Sequence, residues 1–197
     1  TAVAVVGNAT DLVTVMELIG CTLEDNLGYG LQASGNGTHI VTVQNSVIAR
    51  NAIGVFVSNL STAGYLRVTN SLIENNAQFG LRADGSTPPD SRRIVAYVSN
   101  SVLHNNGTGF YLTGATAELK DNSFAGNTTY AMVTESTVMP ADASNNWWGG
   151  SNGPKHATNN PSGSGDAVAG VFLFDPWLGA APFFSHSTPD NPTSASQ

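Results

Sequence analysis

The sequence predicts an all-β fold, a parallel β-helix of stacked three-sided coils. Three observations predict it: five ungapped repeats, period-two alternation of apolar residues within each, and polar columns at fixed positions between them. The 197 residues, 41% of them apolar, suit one domain with a sizeable core.

Segments 16–26, 41–51, 66–76, 96–106 and 117–127 align without a gap, their starts 25, 25, 30 and 21 residues apart. One column reads Met16, Val41, Leu66, Ala96, Ala117, and a second reads Leu18, Val43, Val68, Val98, Leu119. The spacing of two between these columns is that of a strand whose side chains point alternately in and out. A third apolar column holds Leu23, Ile48, Ile73, Leu103 and Phe124. After each segment a small residue (Gly30, Gly54, Gly80, Gly109, Ala131) precedes an apolar one (Leu31, Val55, Leu81, Phe110, Met132), which adds a further short strand per repeat. A single coil cannot bury such columns, but coils stacked roughly 4.8 Å apart pair every strand and make the columns one continuous core.

Two more columns are polar: Gly20, Asn45, Asn70, Asn100, Asp121, and Asn26, Asn51, Asn76, Asn106, Asn127. Asparagine tolerates left-handed backbone and its amide can bond to amides above and below, so both columns are expected to turn the chain at corners and link the coils.

This pattern resembles the pectate-lyase-like family of right-handed β-helices, whose coils carry similar N-S-x-[IL]-x-x-N turns, over roughly residues 13–148. A second stretch, Asn145-Asn146-Trp147-Trp148-Gly149-Gly150, Gly153-Pro154 and Pro176-Trp177-Leu178, is similar to the N-W-W-G…G-P…P-W-L endings of many secreted bacterial β-helix domains. The resemblance implies a right-handed, single-stranded parallel β-helix of about six to eight coils. The last coil of a solenoid needs a cover, and Trp147, Trp148, Phe172, Phe174 and Trp177 are expected to form an aromatic cap. The β-helix domain then spans 1–184, with the capping segment from about 145, and the Ser-, Thr- and Pro-rich residues 185–197 read as a flexible tail or linker. At the other end, alternation begins at Ala2 to Val6 with no amphipathic helix in front, so the first coil is expected to meet an upstream domain or an end-to-end partner.

A net charge of −7 without a Lys/Arg cluster argues against a nucleic-acid partner. No apolar run is long enough for membrane insertion. The single Cys21 excludes an internal disulfide and fills a column otherwise held by Ser46, Ser71, Ser101 and Asn122. Only 11% of residues are charged, and the abundance of Thr, Ser and Asn suits a secreted or cell-surface protein.

Function is expected in outward columns and lengthened turns. Gln32, Phe56, Arg82 and Tyr111 precede the long turns, and Glu17, Thr42, Arg67, Tyr97 and Glu118 follow them, flanking one side of the solenoid. Aromatic faces stack on pyranose rings while Arg and carboxylates bind hydroxyls, so Phe56, Arg67, Arg82, Tyr97 and Tyr111 are the candidate carbohydrate-binding set. The partner expected is a polysaccharide or cell-surface glycan, contacted without catalysis. The alternative is a polysaccharide lyase or glycoside hydrolase at the 84–93 turn, with Asp84, Asp90, Arg92, Arg93 and Glu118 as candidate catalytic residues. No cofactor is expected; calcium enters only under the lyase alternative, for which adjacent coils carry no tight stack of carboxylates. His39, His156 and His186 stand far apart without partners at zinc spacing, so no metal set is expected. Glu74 and His104 occupy the same column in adjacent coils and are expected to pair at the surface.

Overall fold

In the computed structural model of the chain, residues 2–7, 12–59, 63–85, 94–135 and 141–184 are described. The candidates Asp90, Arg92 and Arg93 and the tail 185–197 lie outside them.

The described residues form a parallel solenoid without an α-helix. Strand β1 (Val3–Gly7) is followed by five complete coils. They are β2 (Val13–Ile19), β3 (Thr22–Glu24) and β4 (Tyr29–Gly35); then β5 (Thr38–Gln44), β6 (Val47–Ala49) and β7 (Ile53–Ser58); then β8 (Gly64–Thr69), β9 (Leu72–Glu74) and β10 (Phe79–Asp84). The fourth is β11 (Ile94–Ser99), β12 (Val102–His104) and β13 (Thr108–Thr113), and the fifth β14 (Ala115–Lys120), β15 (Ser123–Ala125) and β16 (Tyr130–Thr134). Short strands β17 (Ala141–Asp142), β18 (Val168–Ala169) and β19 (Phe172–Leu173) follow among the described residues.

Three parallel sheets result. The first runs β1-β4-β7-β10-β13-β16-β18, the second β2-β5-β8-β11-β14-β17-β19, and the third β3-β6-β9-β12-β15. Five complete coils correct the expected six to eight, because the outermost levels supply strands to only one or two of the three sheets.

The apolar columns form the interior. Leu23, Ile48, Ile73, Leu103 and Phe124 are register partners in succession along the third sheet, and all five are buried. The file continues past the fifth coil, where the Trp148 ring stacks on Phe124 at 4.9 Å and 17°. Phe172 and Phe174 extend this ring cluster towards Trp177. Trp147 instead lies beside Ser123 and stays half-buried. The small-residue column has a steric cause, since a Cβ on Gly80 would stand 2.7 Å from the Gly109 carbonyl oxygen of the next coil.

The polar columns divide their duties differently from expectation. Asn45, Asn70, Asn100 and Asp121 do turn the chain, with φ between 48° and 57°. At the other corner the left-handed residue is the one before the asparagine: Asp25, Arg50, Asn75, Asn105 and Gly126. The asparagines themselves link coils. Asn51 N donates to Asn76 Oδ1 (3.0 Å), Asn76 N to Asn106 Oδ1 (3.0 Å), and Asn106 N to Asn127 Oδ1 (3.0 Å), while each Nδ2 also reaches the next Oδ1. A parallel ladder uses Ser46, Ser71, Ser101, Asn122 and Asn146 as acceptors for the main-chain N–H of the preceding coil, beginning at Cys21 N. Cys21 therefore does hold a serine position.

Candidate functional site

Since inward positions are filled by the apolar files, the outward columns carry what chemistry the coils offer. The registers place the two predicted columns on different sheets. Gln32, Phe56, Arg82 and Tyr111 are successive partners on the first sheet. Glu17, Thr42, Arg67, Tyr97 and Glu118 are successive partners on the second.

On the first sheet Arg82 is the centre of a closed cluster. Its Nε lies 3.0 and 2.9 Å from the two Asp84 carboxylate oxygens, and its Nη2 lies 2.7 Å from Oδ2. The guanidinium also sits over three rings, 5.5 Å from Phe56, 5.2 Å from Phe79 and 5.4 Å from Tyr111. Tyr29 stacks on Phe56 and extends the aromatic group by one coil. The Asp84 bond holds the guanidinium firmly charged. Burial, helped by a hydrogen bond to Glu135, pushes the Tyr111 phenol up to about 12. The donors of Arg82 are thus turned towards Asp84 and its faces towards aromatic rings. Phe79 and Tyr29 are members that column reasoning missed, and an aromatic at the first position of β4 and β10 was the available signal.

On the second sheet the groups are more open. Tyr97 is 41% exposed, and the Arg67 guanidinium lies 6.0 Å from its ring centroid. A shallow depression of about 170 Å³ on one side of Tyr97 is lined by Arg67, Thr69, Ser99, Glu118 and Lys120. A second of about 350 Å³ on the other side is lined by Val95, Thr116, Glu118 and Asp142. Lys120 Nζ donates to Glu118 Oε1 at 2.6 Å, which raises the pKa of the ammonium. Asp142 accepts from Ser144 N (3.0 Å) and Ser144 Oγ (2.7 Å), and these bonds hold its carboxyl below the usual range. Asp142 was not anticipated; Ala141-Asp142-Ala143 repeats the in-out-in pattern of Ala117-Glu118-Leu119, in register with it.

The five carbohydrate candidates therefore separate into Phe56, Arg82 and Tyr111 on the first sheet and Arg67 and Tyr97 on the second. Of the catalytic candidates described, Asp84 pairs with Arg82 and Glu118 with Lys120, again on different sheets.

Glu74 and His104 are register partners, as their column predicts. The hydrogen bond of the imidazole, however, runs to the next coil, His104 Nε2 to Ser123 Oγ at 2.7 Å. Burial lowers the His104 pKa, with the Asp166 charge opposing. Ser123 is only 1% exposed, so this Ser–His pair is closed to a substrate. Among the described residues no three His, Cys, Asp or Glu side chains gather as a metal site, and no helix is long and apolar enough to cross a membrane.

Residues 13–95 match the family model described as "Right handed beta helix region". Together with the three-sheet parallel stack, this match makes the protein a right-handed parallel β-helix and supports a parallel β-helix family. No curated protein and no solved structure matches the chain.

Proposed function

We propose that this β-helix is a module of a secreted or cell-surface protein that contacts carbohydrate, without catalysis, through the outward face of its second sheet. The observation that carries the reading is the exposed Tyr97 ring between two shallow depressions lined by hydrogen-bonding groups. An aromatic face offers dispersion and C–H contacts to a pyranose, and the surrounding Arg67, Glu118, Lys120 and Asp142 suit its hydroxyls. Two shallow depressions side by side fit an extended chain of sugars lying across the coils better than a single enclosed monosaccharide. The Arg82 cluster supports this reading less, because Nε and Nη2 of its guanidinium already serve Asp84 and its faces lie against aromatic rings. Both described acids of the catalytic alternative are held in ion pairs, which supports binding over hydrolysis or elimination.

Affinity electrophoresis through gels containing neutral or acidic polysaccharides tests the reading. Retardation by at least one polysaccharide, reduced by Tyr97→Ala, is the expected result. Release of unsaturated or reducing ends from the same polysaccharides, with or without calcium, would replace it by the lyase or hydrolase reading.

A further inference from the structure

The corner that follows the second sheet carries a row of side chains that the turn itself does not need. Asn45, Asn70 and Asn100 hold left-handed backbone there, with φ of 48° to 50°, and all three are exposed. The turn asks only for that backbone: Gly20 makes it in the first coil at φ 61° and Asp121 in the fifth at φ 57°. The main-chain N–H groups are used between coils, Asn70 N on the Ser99 carbonyl at 3.2 Å and Asn100 N on the Lys120 carbonyl at 3.3 Å. Among the described residues, however, the side-chain amides of Asn70 and Asn100 have no hydrogen-bond partner. The buried asparagines of the other corner differ, because their amides bond from coil to coil.

These free amides border the Tyr97 face. Thr69 and Ser99 are register partners that line the smaller depression beside Tyr97, and Asn70 and Asn100 are the next residues along the chain. The Thr69 and Ser99 hydroxyls are likewise without a partner among the described residues. Two hydroxyls and two primary amides thus stand together on adjacent coils, roughly 4.8 Å apart. The larger depression lies on the other side of Tyr97, at Val95 and Thr116. A line from it over the Tyr97 ring and through the smaller depression ends at Asn70 and Asn100. From Val95 to Asn100 the chain advances roughly 16 Å, the length of a short oligosaccharide.

Charge along this line disfavours an acidic ligand. Glu118 and Asp142 both line the larger depression, and two hydrogen bonds from Ser144 favour the ionised form of Asp142. In the smaller depression Lys120 is closed on Glu118 at 2.6 Å. Among the described residues there, Arg67 is left as the cation without a carboxylate partner. An anionic sugar laid over both depressions would meet two like charges, whereas amides and hydroxyls donate and accept equally well.

We propose, building on the carbohydrate reading of Tyr97, that this face selects a neutral polysaccharide and that Asn70 and Asn100 are its specificity residues. A sugar stacked on Tyr97 turns hydroxyls towards Thr69 and Ser99. The next unit presents neighbouring hydroxyls to the corner, where each amide accepts from one O–H through its carbonyl and donates to another oxygen through its NH2.

The test is affinity electrophoresis of the whole chain through gels of galactomannan, xyloglucan or polygalacturonate, with Asn70→Gly, Asn100→Gly and the double variant. Glycine keeps the left-handed turn, as Gly20 does, so circular dichroism and urea denaturation should match the parent. Each single change should weaken retention on a neutral gel about fivefold, and the double variant by more than about tenfold. Asn75→Gly makes the same change at the other corner and should leave retention unaltered. Glycine variants that fold and are retarded like the parent, beside a Tyr97→Ala variant that is not retarded, overturn the proposal and leave the Tyr97 reading standing. So does a parent retarded by polygalacturonate alone. If no gel retards the parent, both fall. Where a glycine variant loses its β-sheet spectrum, Asn70→Asp and Asn100→Asp keep the turn as Asp121 does and remove the donor; undiminished retention in them overturns the proposal.

Discussion

Asp166 closes the asparagine ladder on Asn127: its carboxylate accepts from Asn127 N at 2.7 Å and Asn127 Nδ2 at 3.0 Å, and from Gly126 N at 3.1 Å. Asn127 would otherwise be the one ladder residue without an acceptor beyond it. Asp166→Ala leaves the main-chain N–H groups of Gly126 and Asn127 unpaired, while Asn127 Nδ2 keeps its bond to the Leu103 carbonyl at 2.9 Å, at a cost of about 2 kcal/mol. Asp166→Asn keeps an acceptor and should recover more than half of that. Urea denaturation of the three proteins measures both; an alanine variant as stable as the parent would mean that water replaces the carboxylate at no cost.

Neighbouring residues at the second corner should respond oppositely to the same kind of change. Asn75 sits at φ 56° and its task is to turn the chain, while Asn76 is fully buried and links two coils. Asn75→Gly should be neutral within about 0.5 kcal/mol and Asn75→Val destabilising by about 1–2 kcal/mol, because a β-branched side chain resists left-handed backbone. Asn76→Gly should cost about 3 kcal/mol by breaking the ladder on both sides. Thermal melts of the variants separate the two roles.

This offset of one residue marks the limit of what the sequence makes legible. The file from Leu23 to Phe124 can be read directly, because an interior column accepts only apolar residues. The corner columns cannot be apportioned in that way, since asparagine is suited both to turning and to linking; Arg50 at φ 54° shows that the turning position does not even require it. The pairing of Asp166 with Asn127 spans 39 residues outside any repeat and leaves no periodic trace. The His104–Ser123 bond is diagonal between coils, whereas columns reveal only the partner directly above, which is Glu74. The split of the aromatic and arginine candidates between two sheets escaped for a related reason: the sequence orders columns along a coil but not the angle between its sides.

Two histidines should make the stack sensitive to mild acid. Burial lowers the pKa of His104 and of His39, the latter 0% exposed among interior residues, with a Ser34 main-chain group opposing the shift at His39. A histidine with a depressed folded-state pKa binds fewer protons folded than unfolded, so its contribution is complete above the unfolded value of about 6.5 and is lost as pH falls below it. Stability from urea denaturation should therefore be level between pH 7 and 8 and decline from pH 6.5 downwards. The double variant His39→Gln, His104→Gln should flatten that decline; an unchanged slope would assign it to other groups.

The final prediction separates the two outward faces. Arg82 is fastened by Asp84 and three rings on the first sheet, whereas Tyr97 presents its ring to solvent on the second. Arg82→Ala strips packing from Phe56, Phe79 and Tyr111 and leaves Asp84 without its counter-ion, so it should lower stability by about 1–2 kcal/mol. Sugar retention should be unchanged. Tyr97→Ala removes an exposed ring and should leave stability within about 0.5 kcal/mol, while reducing polysaccharide affinity about tenfold. Measuring denaturation and gel retardation on both variants crosses the two effects. Loss of retention in Arg82→Ala with Tyr97→Ala unaffected would move the carbohydrate surface to the first sheet.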